Sequence, residues 1–251
     1  MANFLQTLAQ PGSCQLGTWV KLGTLETLEA LALAGFDFVV IDMEHAPHTY
    51  ETAYRCIVGA QGFGMRALVR LPDSNGTDVQ RILDSGADGV LVPRVRCAEE
   101  ARQVMDGMIF SPRGSRGLGI TSRAGHWGLK TTAQYVEHGN TAVFRGVQLE
   151  EVEALRQADQ IMGVEGVNAV FVGAGDLALS SGKPANHPDN AALIDQLLTT
   201  ARQLGLPCGT AVGDAAMARQ ARERGFNYVM VSNDLSLFAK AAAELVRGLK
   251  N

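Results

Sequence analysis

The stretch AGFDFVVID, residues 34–42, holds the end of a helix and the whole of a strand in nine positions. Gly35 suits the turn that closes a helix, Asp37 is polar, and Phe38 to Ile41 run apolar without alternation. An unbroken, β-branched run of this length must be covered on both faces, which is the condition of a parallel strand flanked by helices. The same design returns in SGADGVLVP, residues 85–93, and in RGFNYVMVS, residues 224–232. The chain is therefore read as repeated βα units.

Working outward from these three, strands are expected at 17–20 (GTWV), 38–42 (FVVID), 67–71 (ALVRL), 89–93 (GVLVP), 143–149 (VFRGVQL), 169–173 (AVFVG), 208–212 (CGTAV) and 228–232 (YVMVS). Each precedes an amphipathic pattern, with Thr24, Thr49, Asn75 and Asp214 or Asn233 as candidate caps. Eight such units in 251 residues match a single-domain (β/α)8 TIM barrel, an α/β fold; a doubly wound sheet is the alternative. Two segments, 111–142 and 173–189, are rich in Gly, Ser or Arg and read as long loops, which in compact domains are usually functional.

Apolar residues make up 46% and charged residues 19%, enough for a large core. A net charge of −4 without a Lys/Arg cluster argues against nucleic acid. MANFLQTLAQPGS has neither the basic region nor the apolar run of a secretory signal, and no membrane span is legible, so a cytoplasmic protein is expected. Cys14, Cys56, Cys97 and Cys208 lie far apart without a CxxC pair and read as reduced core cysteines.

In such a barrel the site lies at the C-terminal ends of the strands. There the sequence puts Asp42, Glu44 and His45 after the second strand, Arg70 at the end of the third, Gln148 and Glu150 at the fifth, and Asp176 after the sixth. Gln148 and Glu150 leave an extended segment on the same side. Glu150 and Asp176, on adjacent strand ends, can share one hard divalent cation. Their plainer reading is an acid in the first turn of a helix and an N-cap. Arg70 ends a buried strand and needs an anion, either a substrate oxygen or Asp42, Glu44 or Asp73. His45 suits a general base, with Asp42 or Asp84 fixing its tautomer. His48, His126, His138 and His187 read as solvent or interface residues. Arg113, Arg116 and Arg123 in the 111–142 segment can meet an acidic substrate or a neighbouring subunit.

With these residues assembled, the chain resembles the HpcH/HpaI aldolase family of metal-dependent class II pyruvate aldolases. FDFVVIDMEHAPHTYE, RALVRLPD, ILDSGADGVLVPRV, SPRGSRGLG, SRAGHWG, VQLE and VFVGAGDLALSSGKPANHP carry the resemblance over nearly the whole length. It implies a barrel whose last helix is exchanged between paired subunits, three pairs forming a homohexamer. It implies metal ligands at Glu150 and Asp176, with Mg2+, Mn2+ or Co2+ as the ion, and proton transfer by His45. Arg70 is implied beside the reacting oxygen, Gln148 in the site, and the main chain of Gly173, Ala174 and Gly175 around a pyruvate carboxylate, with Asp42 and Asp84 as acids near the histidine. The sequence departs from the family pattern where GAGDL replaces GPADL and where Met43 precedes Glu44.

The implied chemistry is reversible cleavage of a 4-hydroxy-2-oxo acid to pyruvate, or a close 2-oxo acid such as hydroxypyruvate, and an aldehyde through an enolate. A metal Lewis acid serves in place of a lysine Schiff base. Oxaloacetate decarboxylation by the same enolate chemistry, and a catalytically silent metal-binding assembly protein, are the alternatives.

Overall fold

The structure, a computed structural model, describes residues 3–75 and 78–250. Eight parallel strands close in sequence order: β1 (Gln15–Val20), β2 (Phe38–Asp42), β3 (Arg66–Arg70), β4 (Gly89–Val92), β5 (Phe144–Leu149), β6 (Ala169–Val172), β7 (Cys208–Val212) and β8 (Tyr228–Asn233). β8 pairs back onto β1, which excludes the doubly wound sheet. Expected and observed strand ends differ by one or two residues at most.

Alternation along each strand sorts the core into two layers. Phe38, Val40, Leu68, Phe144, Phe171 and Tyr228 fill the barrel, while Val39, Ile41, Val69, Val147 and Val170 pack outward under the helices. The helix Phe4–Leu8 plugs the lower end, with the Phe4 ring 5.1 Å from Phe38 and 5.7 Å from Phe144. Aromatic bulk here needs space on the neighbouring strand: a Cβ on Gly209 would stand 2.1 Å from the Tyr228 ring. Each buried aromatic contributes about 1.5–3 kcal/mol. The same inward files continue upward and end in Asp42, Arg70 and Gln148, so the strand period that fills the barrel also aims its polar residues.

Thr24, Thr49 and Asp214 cap their helices, each accepting a backbone N–H three residues on, and Asn233 does the same for Ser236. Asn75 does not cap. Its own N–H donates to Asp73 Oδ1 in a turn, and the helix after β3 starts later, at Val79. The 173–189 segment is not a loop either: helix Ala174–Ser181 leads directly off β6, Gly182 stops it in the left-handed region, and a second helix starts at Pro188. The glycines disguised it. The 111–142 segment contains a 3-10 turn, Arg123–Gly128, and the helix Thr132–Thr141.

The last helix, Asp234–Lys250, lies apart from the others. Asp234 anchors its start by accepting the backbone N–H groups of Lys21 and Leu22, but Phe238, Leu245 and Leu249 are 69%, 68% and 79% exposed. Its apolar stripe finds no cover in its own barrel. No described helix is long and apolar enough to cross a membrane.

Candidate active site

Asp42 is fully buried at the end of β2, and β3 brings Arg70 directly opposite. Arg70 Nε and Nη2 donate to the two Asp42 oxygens at 2.9 and 2.8 Å, and the guanidinium lies 4.0 Å from the centre of the Trp19 ring. Lys21, just past β1, adds a third donor at 2.6 Å. Burial alone would raise the Asp42 carboxyl, but Arg70 and Lys21 hold it well below the usual carboxylate range. Asp42 Oδ1 also accepts the backbone N–H groups of Glu44 and His45, fixing the turn after β2.

That turn puts the Glu44 carboxylate inside the mouth and the His45 imidazole, 60% exposed, at its rim, 3.7 Å from Glu44 Oε2. Glu44 is ion-paired to Arg70 Nη1 at 3.0 Å and to Arg94 Nε at 3.2 Å. Neither contact is angled as a hydrogen bond, and Glu44 Oε2 is buried without a hydrogen-bond partner. Such an atom is costly to leave unmet.

Across the mouth, Gln148 Nε2 donates to Glu150 Oε2, which the two-residue spacing permits by placing both side chains on one face, and the backbone N–H of Arg94 donates to Glu150 Oε1 at 3.1 Å. Glu150 is 4% exposed. Burial pushes its carboxyl up to about 7; Asp176 and Glu44 push the same way, against Gln148 and Arg70. Asp176 is exposed in the first turn of Ala174–Ser181. Gly173 precedes that helix, where a Cβ would stand 2.6 Å from Glu150 Oε2, so only glycine lets the helix start this close to the carboxylate. The first-turn N–H groups have no acceptor within the helix and attract an anion.

The structure thus gathers Asp42, His45, Arg70, Gln148, Glu150, Gly173, Ala174, Gly175 and Asp176 at one end of the barrel. It does not gather Asp84. That carboxylate ends the helix Val79–Asp84 and is taken by Arg116 at 2.8 Å and Tyr135 Oη at 2.8 Å. Neither Asp42 nor Asp84 reaches the His45 ring, so the expected tautomer contact is not made within the chain. Arg116 is buried, Arg113 pairs with Glu165, and Arg123 bonds the Ser85 and Gly86 carbonyls, so these arginines brace their own segment instead of presenting free cations. His48 Nε2 meets the Val20 carbonyl, and His187 caps the helix at Pro188.

Three site residues were not foreseen in these roles. Lys21 and Trp19 lie at the end of β1, and Arg94 follows β4; both strand ends were legible, but their polar residues were not carried into the mouth.

Among the described residues no group of three or more His, Cys, Asp or Glu side chains forms a metal cage. Two carboxylates still fit one divalent ion. Glu150 is a buried acid whose charge is opposed by Asp176 and Glu44 and only partly relieved by Arg70, and a divalent ion held by Glu150 and Asp176 would relieve it further.

A (β/α)8 barrel that gathers acids, a buried arginine and a helix N-terminus at its C-terminal mouth is an enzyme handling small anionic molecules. The profile of the HpcH/HpaI aldolase/citrate lyase family matches residues 15–241, and the chain belongs to that family. It is 33% identical over 240 residues to a 2-dehydro-3,6-dideoxy-6-sulfogluconate aldolase of Pseudomonas putida, covering 95% of this chain and 93% of the relative. It is 34% identical over 244 residues to a 2-keto-3-deoxy-L-rhamnonate aldolase of Salmonella gallinarum, covering 96% and 91%. The crystal structure of an HpcH/HpaI aldolase from Desulfitobacterium hafniense DCB-2 superposes with a TM-score of 0.92 at 30% identity, covering 100% of this chain and 98% of that one. The chain is a carbon–carbon lyase of the aldolase type.

Proposed function

We propose that this aldolase reversibly cleaves 4-hydroxy-2-oxo acids of the 2-keto-3-deoxy sugar-acid kind to an aldehyde and pyruvate, or a close 2-oxo acid such as hydroxypyruvate. The observation that carries the reading is the buried Glu150 carboxyl, raised to about 7 and set against Asp176 at the start of a helix. Glu150 and Asp176 would hold Mg2+, Mn2+ or Co2+, which supplies Lewis-acid polarisation of the 2-oxo group.

The chain's own groups do the rest. The N–H groups at Ala174 and Gly175 receive the substrate carboxylate, in a pocket walled by Gln148. Arg70 keeps two N–H donors beyond those spent on Asp42 and Glu44, enough to face the oxygen that gains charge as the enolate forms. His45, exposed at the rim, takes the proton of the C4 hydroxyl; the C3–C4 bond breaks, the aldehyde leaves, and the enolate is protonated at C3. Asp42 holds Arg70 and the His45 backbone in place.

The same reading makes the protein a cytoplasmic homohexamer, with the bare stripe of Asp234–Lys250 covered by a partner subunit, since burial of that stripe becomes association energy. Light scattering should then give about six chain masses, and a concentration-independent monomer would refute the exchanged helix.

Pyruvate release from several 4-hydroxy-2-oxo acids, with and without chelator, tests the activity. Metal-dependent release is expected. Release of CO2 from oxaloacetate alone would favour decarboxylation, and metal binding without any turnover would leave an assembly protein.

A further inference from the structure

Residues 43–49 carry the chain from β2 to the helix Tyr50–Gly62 without helix or strand, and His45 is one of them. Among the described residues its ring makes no hydrogen bond, and its one ion-pair contact, Glu44 Oε2, is 3.7 Å away. Nothing grips the imidazole itself. Where it stands is therefore set by the backbone that carries it.

That backbone is held on both sides of the residue. The His45 N–H donates to Asp42 Oδ1 at 3.1 Å, and the His45 carbonyl accepts from Lys21 Nζ at 3.2 Å. Lys21 Nζ also donates to Asp42 Oδ2 at 2.6 Å, so Asp42, Lys21 and the His45 backbone close a ring of hydrogen bonds. Further along, His48 Nε2 meets the Val20 carbonyl at 3.1 Å, and a Cβ on Gly23 would stand 2.7 Å from the His48 ring. The segment is thus fastened at two points to the chain leaving β1. Lys21 has a firm root of its own: its backbone N–H donates to both Asp234 oxygens, at 2.9 and 3.1 Å, and Asp234 is buried.

Neutralising Asp42 does not account for the lysine, because Arg70 already meets that carboxylate with two N–H groups. Ordering a lysine side chain costs rotamer freedom, and what Lys21 adds beyond Arg70 is the bond to the His45 carbonyl. Its ammonium is charged and its acceptors are fixed, which makes the contact directional.

We propose that Lys21 is a positioning residue for proton transfer: held on Asp42, its ammonium grips the His45 carbonyl and sets where the imidazole meets the C4 hydroxyl. The proposal rests on the aldol reading and adds a residue to its proton-transfer step.

The test is a double-mutant cycle on the metal-loaded enzyme, read as pyruvate release from a 4-hydroxy-2-oxo acid that the wild type cleaves. Lys21→Met removes the ammonium and keeps most of the stem; kcat should fall about 10-fold, the effect of one hydrogen bond to a charged group, with KM and metal affinity within about twofold. In His45→Ala, where no imidazole is left to place, the same substitution should change kcat by less than about twofold. Lys21→Gln, which drops the charge and stays polar, should show the same coupling and stands in if the methionine variant does not fold. A lysine that only braces the fold, or that acts through Arg70, would lower kcat by the same factor in both backgrounds, and that result would overturn the positioning role, as would a Lys21→Met kcat equal to that of the wild type. Failure of the wild type to cleave any 4-hydroxy-2-oxo acid would instead refute the aldol reading beneath it.

Discussion

Two aspartate–arginine pairs set against aromatic rings stand at opposite ends of this barrel. At the upper end Asp42 grips Arg70 over Trp19; at the lower end Asp84 grips Arg116, whose guanidinium lies 4.5 Å from the Phe110 ring and 5.7 Å from that of Tyr135. The chemistry of the pairs is nearly the same, and their surroundings are not. Asp42 and Arg70 end strands and open onto Glu44, Glu150 and the start of a helix, so their charges act on whatever enters the mouth. Asp84 ends a helix that runs back toward the strand starts, and its pair ties the 111–142 segment to the barrel wall. Position on the fold, more than residue type, separates a site from a brace.

The sharpest way to test the upper end is Glu150→Gln, which keeps the volume and removes the charge. Metal-dependent turnover should fall below detection with the circular dichroism spectrum unchanged; near-normal activity at limiting metal would remove Glu150 from the ligand set. His45→Ala should lower kcat by about 10²- to 10⁴-fold, the range of a general base, with metal affinity little changed in a titration. If metal binding collapses instead, the imidazole is a ligand.

Smaller effects compare the clusters directly. Asp42→Asn breaks a fully buried pair and should cost about 3–5 kcal/mol in urea unfolding along with most of the activity. Asp84→Asn, at a partly exposed site, should cost about 1–3 kcal/mol and change kcat less than tenfold. Equal losses of kcat from the two variants would mean that Asp84 reaches the site of a second copy, restoring the catalytic role its sequence context suggests.

The smallest effect is in pH. The Asp42 carboxyl is held below its ordinary 3.8, so its stabilisation is present above that pH and fades as pH falls below it. The Glu150 carboxyl is raised from 4.5 to about 7, so its stabilisation is complete below about 4.5 and is lost as pH rises through 7. Metal-free protein should therefore lose a few degrees of Tm between pH 4.5 and 7, and Glu150→Gln or added Mg2+ should remove most of that loss. A flat profile in the metal-free wild type would contradict the buried charge.

The eight βα units, the strand positions within two residues, and the upper files ending in Asp42, Arg70, Gln148 and Glu150 are legible in the order of the amino acids. These follow from the two-residue period of a strand and the need to cover both faces of a parallel sheet, which are properties of adjacent residues. Tertiary structure alone decided which charges share a partner. His45 was expected to lean on Asp42 or Asp84, yet Asp42 is spent on Arg70, Lys21 and backbone N–H groups, and Asp84 on Arg116 and Tyr135. Arg94 stayed hidden because its place beside Glu44 and Glu150 depends on a left-handed backbone and on a hydrogen bond to Glu150, 56 positions away. Helix Ala174–Ser181 looked like a loop because Gly173 answers a close approach by Glu150 that no local pattern records. Periodicity is written along the chain, whereas ion pairs are set by distances between segments far apart in it, and these exist only once the barrel has closed.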